Sequence, residues 1–209
     1  MMTAIHRPCQ PEIVTLAAQS HLTLWRQALP RAVHEGLYES LISALAWRQS
    51  VVRVYGREHL TPRLTTWEGD EGVSYRYSGL TETASGWPPV LLPVLEHVQS
   101  ITGHSFNSVL GNFYRDGSDS MGYHSDDETE LGPQPWIASL SLGEVRDFVF
   151  RPRRGSRKQC AKIALPDNSL LLMSPQVQRD FEHALPRRAK VDKGRINLTF
   201  RQIIQPQNA

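Results

Sequence analysis

The chain has 209 residues, of which 40% are hydrophobic and 21% are charged. These fractions are typical of a folded globular protein and exclude a disordered or fibrous chain. The formal net charge of +2 permits a nucleic-acid partner without requiring one. The two cysteines, Cys9 and Cys160, are far apart in sequence, which excludes a disulfide-rich scaffold and fits a reducing compartment.

The N-terminal residues lack the basic stretch and apolar core of a secretory signal. No run of about 18 apolar residues occurs, so no membrane span is predicted. We therefore expect a cytoplasmic protein without a membrane partner, acting as a monomer.

The first half of the chain mixes helix and strand patterns. Residues 1–30 have apolar side chains without a clean period, so a loosely structured lead-in is expected there. Leucines at four-residue spacing predict a helix over Glu35–Trp47. Branched and aromatic residues predict strands at Val51–Tyr55 and Ser74–Tyr77. A further helix is predicted to begin near the prolines at 88 and 89 and to end at Gly103.

The second half is dominated by short β-type runs separated by Gly, Pro, Asp and Asn. The predicted strands are Phe106–Tyr114, Trp136–Leu142, Asp147–Arg151, Ala161–Leu165, Ser169–Met173 and Arg195–Ile204. This spacing is typical of a sandwich or barrel rather than of βαβ units. We predict an α+β fold in a single domain over 1–209. Its regions are a lead-in over 1–34, helices and hairpins over 35–104, and a β core over 105–209.

The tripeptide His124-Ser125-Asp126 is a candidate metal-binding motif. In a strand, residues i and i+2 point to the same face, so the imidazole and the carboxylate could meet at one ion. His183, 59 residues later, is the candidate third ligand. Two histidines and one carboxylate form the facial triad of non-haem Fe(II) oxygenases, which leaves coordination positions open for co-substrates. A solvated acidic loop is the alternative for the tripeptide alone.

The segment Arg195–Arg201 alternates strictly between polar and apolar residues. As a strand it places Arg195, Thr199 and Arg201 on one face and apolar side chains on the other. A guanidinium group matches a carboxylate through two parallel hydrogen bonds, so this face suits a dicarboxylate that chelates the iron. A solvated edge strand is the alternative.

Together these residues resemble a known family. The motifs that carry the resemblance are Asn112-Phe113-Tyr114, His124-x-Asp126, His183 and Arg195-x5-Arg201 within RINLTFR. They are similar to those of the AlkB family of Fe(II)- and 2-oxoglutarate-dependent dioxygenases, and most of all to its branch that repairs alkylated bases in duplex DNA. The resemblance runs from about Val51 to Ile204, and the first fifty residues carry no comparable signal.

The resemblance implies a double-stranded β-helix, or jelly-roll, core covered by an N-terminal nucleotide-recognition lid. It implies that three residues bind iron and that five others contact 2-oxoglutarate. The implied iron ligands are His124, Asp126 and His183, and the implied 2-oxoglutarate residues are Asn112, Tyr114, Arg195, Thr199 and Arg201. It further implies an oxidative demethylase that acts on N1-methyladenine and N3-methylcytosine in DNA, consumes O2, and releases succinate, CO2 and formaldehyde.

The same resemblance implies substrate contacts. Asp127 matches a lesion-contacting position, where a carboxylate would favour a cationic methylated base, although a solvated acidic run is equally consistent. Tyr75 and Tyr77 match lid aromatics, and Tyr77 could stack on the flipped base opposite His124, although strand alternation turns one of the two tyrosines inward. Tyr55 stands where the duplex-acting branch tends to have a phenylalanine wedge, and a core aromatic beside a turn is the alternative.

Two basic stretches flank the predicted site. The first comprises Arg151, Arg153, Arg154, Arg157 and Lys158, and the second comprises Arg187, Arg188, Lys190 and Lys193. Phosphate contact and a solvated loop explain the first stretch equally well. Single- or double-stranded DNA is the expected partner. An RNA demethylase, or a dioxygenase that hydroxylates a protein or a small molecule on the same core, is the alternative.

Overall fold

A computed structural model describes residues 10–54, 57–77 and 80–204. Of residues 52–54, 57, 75–77, 80 and 81 only the backbone is described. The helices are α1 (Arg31–His34), α2 (Leu37–Ala44), α3 (Leu92–Thr102) and α4 (Pro175–Asp180), with a short 3₁₀ turn at Thr129–Leu131. The strands are β1 (Glu12–Ala17), β2 (Ser20–Trp25), β3 (Val51–Val54), β4 (Arg57–Leu60), β5 (Leu64–Gly69), β6 (Ser74–Tyr77), β7 (Leu80–Thr83), β8 (Ser108–Tyr114), β9 (Met121–His124), β10 (Ile137–Gly143), β11 (Arg146–Pro152), β12 (Ala161–Leu165), β13 (Ser169–Met173), β14 (Phe181–Leu185) and β15 (Arg195–Arg201).

Two antiparallel sheets form the centre of the protein. The larger has the strand order β1-β2-β13-β10-β15-β8-β5, and the smaller has the order β12-β11-β14-β9. A cluster of buried side chains from both sheets fills the space between them, including Ile137, Phe150 and Leu171. This is the arrangement of a jelly roll, so the predicted core is confirmed.

Strict alternation along β15 divides its side chains between two environments. Ile196, Leu198 and Phe200 pack in the core that the larger sheet forms with α2 and α3. Arg195 and Arg201 belong to the opposite face, although all seven residues of the strand are buried. The sheet therefore has an apolar outer face under the helices and a face toward the smaller sheet that carries charged groups in a shielded environment.

The prediction of a loosely structured lead-in was wrong. Residues 12–25 form the hairpin β1–β2, and β2 pairs with β13 in the larger sheet. Leu24 packs between the two sheets, whereas the neighbouring Trp25 packs on the helical side, so β2 is covered on both faces. A strand buried on both faces lacks a simple hydrophobic alternation, so the sequence pattern did not predict β2.

The helix predictions were correct in position and too long in extent. The helix expected over Glu35–Trp47 is α2, which begins after Gly36 in a left-handed conformation and ends at Ala44. The helix expected after the double proline is α3, which ends at Thr102 and is capped by Gly103 with φ +71°. Glycine favours this left-handed position because it has no Cβ.

Two hairpins lie outside the sheets: β3 pairs with β4, and β6 pairs with β7. They correspond to the strands predicted at Val51–Tyr55 and Ser74–Tyr77. The turn residues 55–56, which include the predicted wedge Tyr55, lie outside the described residues. The side chains of Tyr75 and Tyr77 also lie outside the description, whereas their backbone is in β6.

The larger sheet combines strands from all three predicted regions, because β2 and β5 precede residue 105. The predicted division at residue 105 therefore does not separate two sheets. This continuity is the basis for our proposal that residues 1–209 form one domain. None of the helices in the described ranges is both long and apolar enough to cross a bilayer.

Candidate active site

The three predicted iron ligands meet at one end of the smaller sheet. His124 at the end of β9 and His183 in β14 are direct cross-strand partners, and their ring centroids lie 4.3 Å apart. Asp126 follows β9 by two residues. The ligand atoms of the three side chains all lie within 4.8 Å of one another, which suits a single metal ion. This separation allows one ion to contact all three.

Hydrogen bonds fix the orientation of these ligands. The Nδ1 atom of His124 lies 2.9 Å from the carbonyl oxygen of Gly122. A carbonyl only accepts, so Nδ1 carries the proton and Nε2 keeps its lone pair for a metal. The backbone N–H of Asp126 donates to Oε1 of Gln178 at 3.0 Å, and Arg201 donates to its carboxylate at 2.6 Å.

The protonation states of the cluster also suit a cation. Burial acts to raise the pKa of Asp126, but the charge of Arg201, with His183 and His124 contributing, lowers the pKa to about 2. Burial, assisted by the neighbouring His124, lowers the pKa of His183 to about 3. At neutral pH the site therefore presents a carboxylate and a neutral imidazole, the forms that bind metal.

A small cavity of about 60 Å³ adjoins the three ligands. Four of the five predicted 2-oxoglutarate residues line it: Asn112, Tyr114, Thr199 and Arg201. The fifth, Arg195, lies beyond Tyr114, with its Cζ 5.5 Å from the centre of that ring. The structure thus brings all five residues to one side of the metal cluster.

Arg195 is a buried cation that lacks an anionic partner among the described residues. Arg195 is only 2% exposed, and its Nη2 donates to the hydroxyl of Ser141 at 2.8 Å. The Nε atom is buried without a hydrogen bond in the described part of the chain. Burial lowers the pKa of Arg195 to about 10, so the group remains charged at neutral pH. An unpaired buried charge is costly, which favours an anionic ligand here.

The donor set therefore fits both an iron ion and a dicarboxylate. Comparison with known proteins agrees with this chemistry. Residues 21–201 match the family described as the 2OG-Fe(II) oxygenase superfamily. The chain belongs to this superfamily. As a 2OG-Fe(II) oxygenase it uses Fe(II), 2-oxoglutarate and O2.

Relatives place this 2OG-Fe(II) oxygenase within the AlkB family. The chain is 45% identical over 159 residues to the DNA oxidative demethylase ALKBH2 of Mus musculus, covering 73% of this chain and 66% of that protein. It is 38% identical over 178 residues to the alpha-ketoglutarate-dependent dioxygenase alkB homolog 3 of Homo sapiens, covering 80% and 60%. It is 34% identical over 216 residues to ALKBH2 of Arabidopsis thaliana, covering 91% and 69%. The chain thus spans about two thirds or less of the length of the mammalian relatives.

A solved structure of OsALKBH1 has the same fold. It superposes with a TM-score of 0.61 and covers 91% of this chain and 100% of that chain. The sequence identity is 18%, so the likeness concerns the fold alone. The family resemblance predicted from the sequence is confirmed.

The structure of this 2OG-Fe(II) oxygenase places the predicted lesion contact, Asp127, outside the cavity beside the metal ligands. Its half-exposed carboxylate forms an ion pair with Arg153, whose Nη1 lies 2.6 Å from Oδ2. The carboxylate is therefore already neutralised by a cation. A methylated base would compete with Arg153 for it.

Sequence reasoning missed three residues that support the site. Gln178 holds the backbone of Asp126, and Ser141 accepts from Arg195. Arg63 is buried, lines the small cavity, and donates from Nε to Oδ1 of Asn112 at 2.7 Å. Since Oδ1 is engaged, the NH2 group of Asn112 remains the free end of the amide and can donate to a carboxylate.

Arg63→Met should weaken 2-oxoglutarate binding without changing iron affinity. Losing one hydrogen bond that orients the Asn112 amide should raise the apparent KM for 2-oxoglutarate by about 2- to 10-fold. The measurement is a titration of 2-oxoglutarate at saturating iron, together with a separate iron titration. Equal losses in both would show that Arg63 supports the site as a whole rather than the Asn112 amide.

Proposed function

We propose that the protein is an oxidative demethylase of alkylated bases in nucleic acid. Its proposed substrates are N1-methyladenine and N3-methylcytosine in DNA. The observation that carries the proposal is a His-Asp-His cluster, with Asp126 and His183 buried, beside Arg195, a buried cation without an anionic partner in the described chain. The names of the relatives support nucleic acid as the substrate class. We further propose that the protein acts as a monomer.

Contacts within the chain support each proposed ligand role. His124 and His183 supply imidazole nitrogens, and Asp126 supplies the anionic ligand in an orientation fixed by Arg201. Arg195 holds the distal carboxylate of 2-oxoglutarate, with Tyr114 packed against its guanidinium. Burial raises the pKa of Tyr114 despite the opposing charge of Arg195, so its hydroxyl stays protonated and can donate. Asn112 and Thr199 contribute further polar groups to the same pocket.

When bound, Fe(II) with 2-oxoglutarate and O2 supplies the chemistry that hydroxylates an N-methyl group, which leaves as formaldehyde while 2-oxoglutarate becomes succinate and CO2. The protein positions the methyl group and shields the reaction from water. The buried ligands Asp126 and His183 are each only 2% exposed, which is consistent with that shielding.

A second cavity offers room for a base that has left its stack. Its volume is about 470 Å³, within the range of ligand pockets. It lies between β5 and residues of the two hairpins, and it shares Arg63 and Leu110 with the small cavity at the metal site. A base inside a duplex cannot reach a buried metal, so the substrate base must be flipped out. Because both cavities contact these two residues, the proposed base pocket adjoins the small cavity beside the metal ligands.

The proposal is tested with matched oligonucleotides that each carry one N1-methyladenine or N3-methylcytosine. Single-stranded DNA, duplex DNA and RNA forms are incubated with enzyme, Fe(II), ascorbate, O2 and 2-oxoglutarate, and the products are weighed by mass spectrometry. We expect replacement of the methyl group by hydrogen, dependent on 2-oxoglutarate. Loss from RNA alone would favour the RNA alternative. No loss from any form, with iron and 2-oxoglutarate shown to bind, would contradict the proposal and favour protein or small-molecule substrates.

Tyr55→Ala tests the proposed wedge. An aromatic side chain that fills the gap left by a flipped base matters only where there is a stack to hold open. The variant should therefore lose more activity on duplex DNA than on single strands, measured as the ratio of the two initial rates. Tyr38→Ala is the aromatic control, because Tyr38 lies in α2, outside both hairpins. An unchanged rate ratio would remove the wedge role.

A further inference from the structure

The first basic stretch lies on the smaller sheet and in the loop that follows β11. Arg151 is in β11, and its cross-strand partner in β14 is Glu182. The next residue, His183, points to the metal site, so Glu182 points to the opposite, outer face of the sheet. Arg151 and Glu182 therefore lie on the face of the smaller sheet opposite to the side chain of His183, a proposed metal ligand.

One carboxylate on this face binds two guanidinium groups. Glu182 accepts from Nε of Arg151 at 2.7 Å and from Nη2 of Arg157 at 3.0 Å. The Glu182 side chain is only 16% exposed, whereas that of Arg157 is 51% exposed. Arg157 has a left-handed backbone with φ +48°, an unfavourable conformation for this residue type, which its contact with Glu182 helps to hold.

Arg151 is also held from a second side. Its Cζ lies 3.9 Å from the centre of the Tyr123 ring, a cation–π contact. This contact does not depend on Glu182, so Arg151 should keep its place if the carboxylate is neutralised. The Arg151 side chain is 24% exposed. A guanidinium that is fixed on an aromatic ring and partly open to solvent is well suited to bind phosphate.

We propose that Glu182 competes intramolecularly with nucleic-acid phosphates for Arg151 and Arg157, and thereby limits the affinity of the enzyme for its substrate strand. The inference rests on the proposed function, because it takes nucleic acid as the substrate. Two arginines of the basic stretch thus have phosphate oxygens as their partner. Glu182 restrains both arginines from binding them. Strand release after repair would be faster as a result.

The test is the salt dependence of oligonucleotide binding. The enzyme, loaded with Fe(II) and 2-oxoglutarate without oxygen, is titrated against a labelled single strand that carries N1-methyladenine, at several salt concentrations. Glu182→Gln keeps the shape and removes the charge. It should bind more tightly, and its slope of log K against log salt should steepen by about 0.7 for each arginine that gains a phosphate, up to about 1.4.

Two controls separate this effect from net charge and from folding. Glu39→Gln removes the same charge from an exposed position in α2, on the far side of the larger sheet, and should leave the slope unchanged. Arg157→Gln in the wild-type background should also leave the slope unchanged, because Glu182 already holds that guanidinium away from phosphate. The double variant Glu182→Gln, Arg157→Gln should have a slope steeper than that of the wild type by about half as much as Glu182→Gln, because only Arg151 can then gain a phosphate.

The outcomes are distinguishable. If the wild type demethylates the strand and Glu182→Gln has the wild-type slope, the inference fails and the proposed function stands. If Glu182→Gln does not fold, the slope of Arg157→Gln tests the inference. A lower slope than in the wild type would show that Arg157 already binds phosphate, which contradicts the inference. If the wild type neither binds nor demethylates any oligonucleotide, the proposed function itself fails.

Discussion

His183→Ala should abolish turnover and reduce iron affinity by more than about 100-fold. Changes to groups that merely orient a metal ligand cost about 10- to 100-fold, so loss of a ligand should cost more. His183 is only 2% exposed and is packed against Phe148 at a ring distance of 5.0 Å, which leaves little room for water to replace the imidazole. Succinate formation and the thermal shift caused by Fe(II) are the two measurements.

The matched control is His97→Ala. His97 lies in α3, and its Nδ1 contacts the carbonyl oxygen of Pro93 within the same helix. That variant should keep both the thermal shift and the turnover of the wild type, since ligand binding raises stability only where the site is intact. Normal turnover of His183→Ala would contradict the triad assignment. A variant that still shows the thermal shift but no turnover would place His183 in the chemistry and not in iron binding.

Arg195→Met should raise the apparent KM for 2-oxoglutarate by about 10- to 100-fold. A hydrogen bond to a charged group contributes about 1.5–3 kcal/mol, and the guanidinium is shielded from water. Methionine retains most of the side-chain volume, so the effect reports the charge and not a large cavity. The measurement is initial rate against 2-oxoglutarate concentration at saturating iron and oligonucleotide.

Arg179→Met is the control for Arg195→Met. Arg179 lies near the end of α4 with its guanidinium largely exposed and paired with Asp180. Its replacement should leave the KM for 2-oxoglutarate unchanged. If Arg195→Met also leaves it unchanged, another residue holds the distal carboxylate, and Arg146, whose Cζ lies 5.9 Å from the Tyr114 ring centre, is the next candidate.

The parts of the site that the sequence predicted are those encoded by local spacing. Asp126 stands two positions after His124, and Arg201 stands six positions after Arg195. In each case strand periodicity predicts that both side chains reach the same face. The described structure places both pairs around one cavity or directly beside it.

The parts that could not be predicted depend on contacts between distant segments. Arg63 reaches Asn112 because β5 pairs with β8. The local sequence around residue 63 does not indicate this pairing. Arg153 reaches Asp127 across 26 residues, and no local pattern in the sequence indicates this ion pair. Strands β9 and β14 also escaped prediction. Strand β9 contains Gly122, a residue type depleted in strands, and most side chains of β14 are buried on both of its faces, so it shows no simple alternation.

The placement of two guanidinium groups on β15 constrains how this chain can change in length. Arg195 pairs in register with Tyr114 and Arg201 with Ser108, across an unbroken ladder with β8. A single inserted or deleted residue between them would turn one of the two arginines into the apolar layer beneath the helices. The loop around Arg157 has no such ladder, and surface loops accept changes in length. Natural variants should therefore differ in length after β11 and keep the six-residue interval of β15 intact.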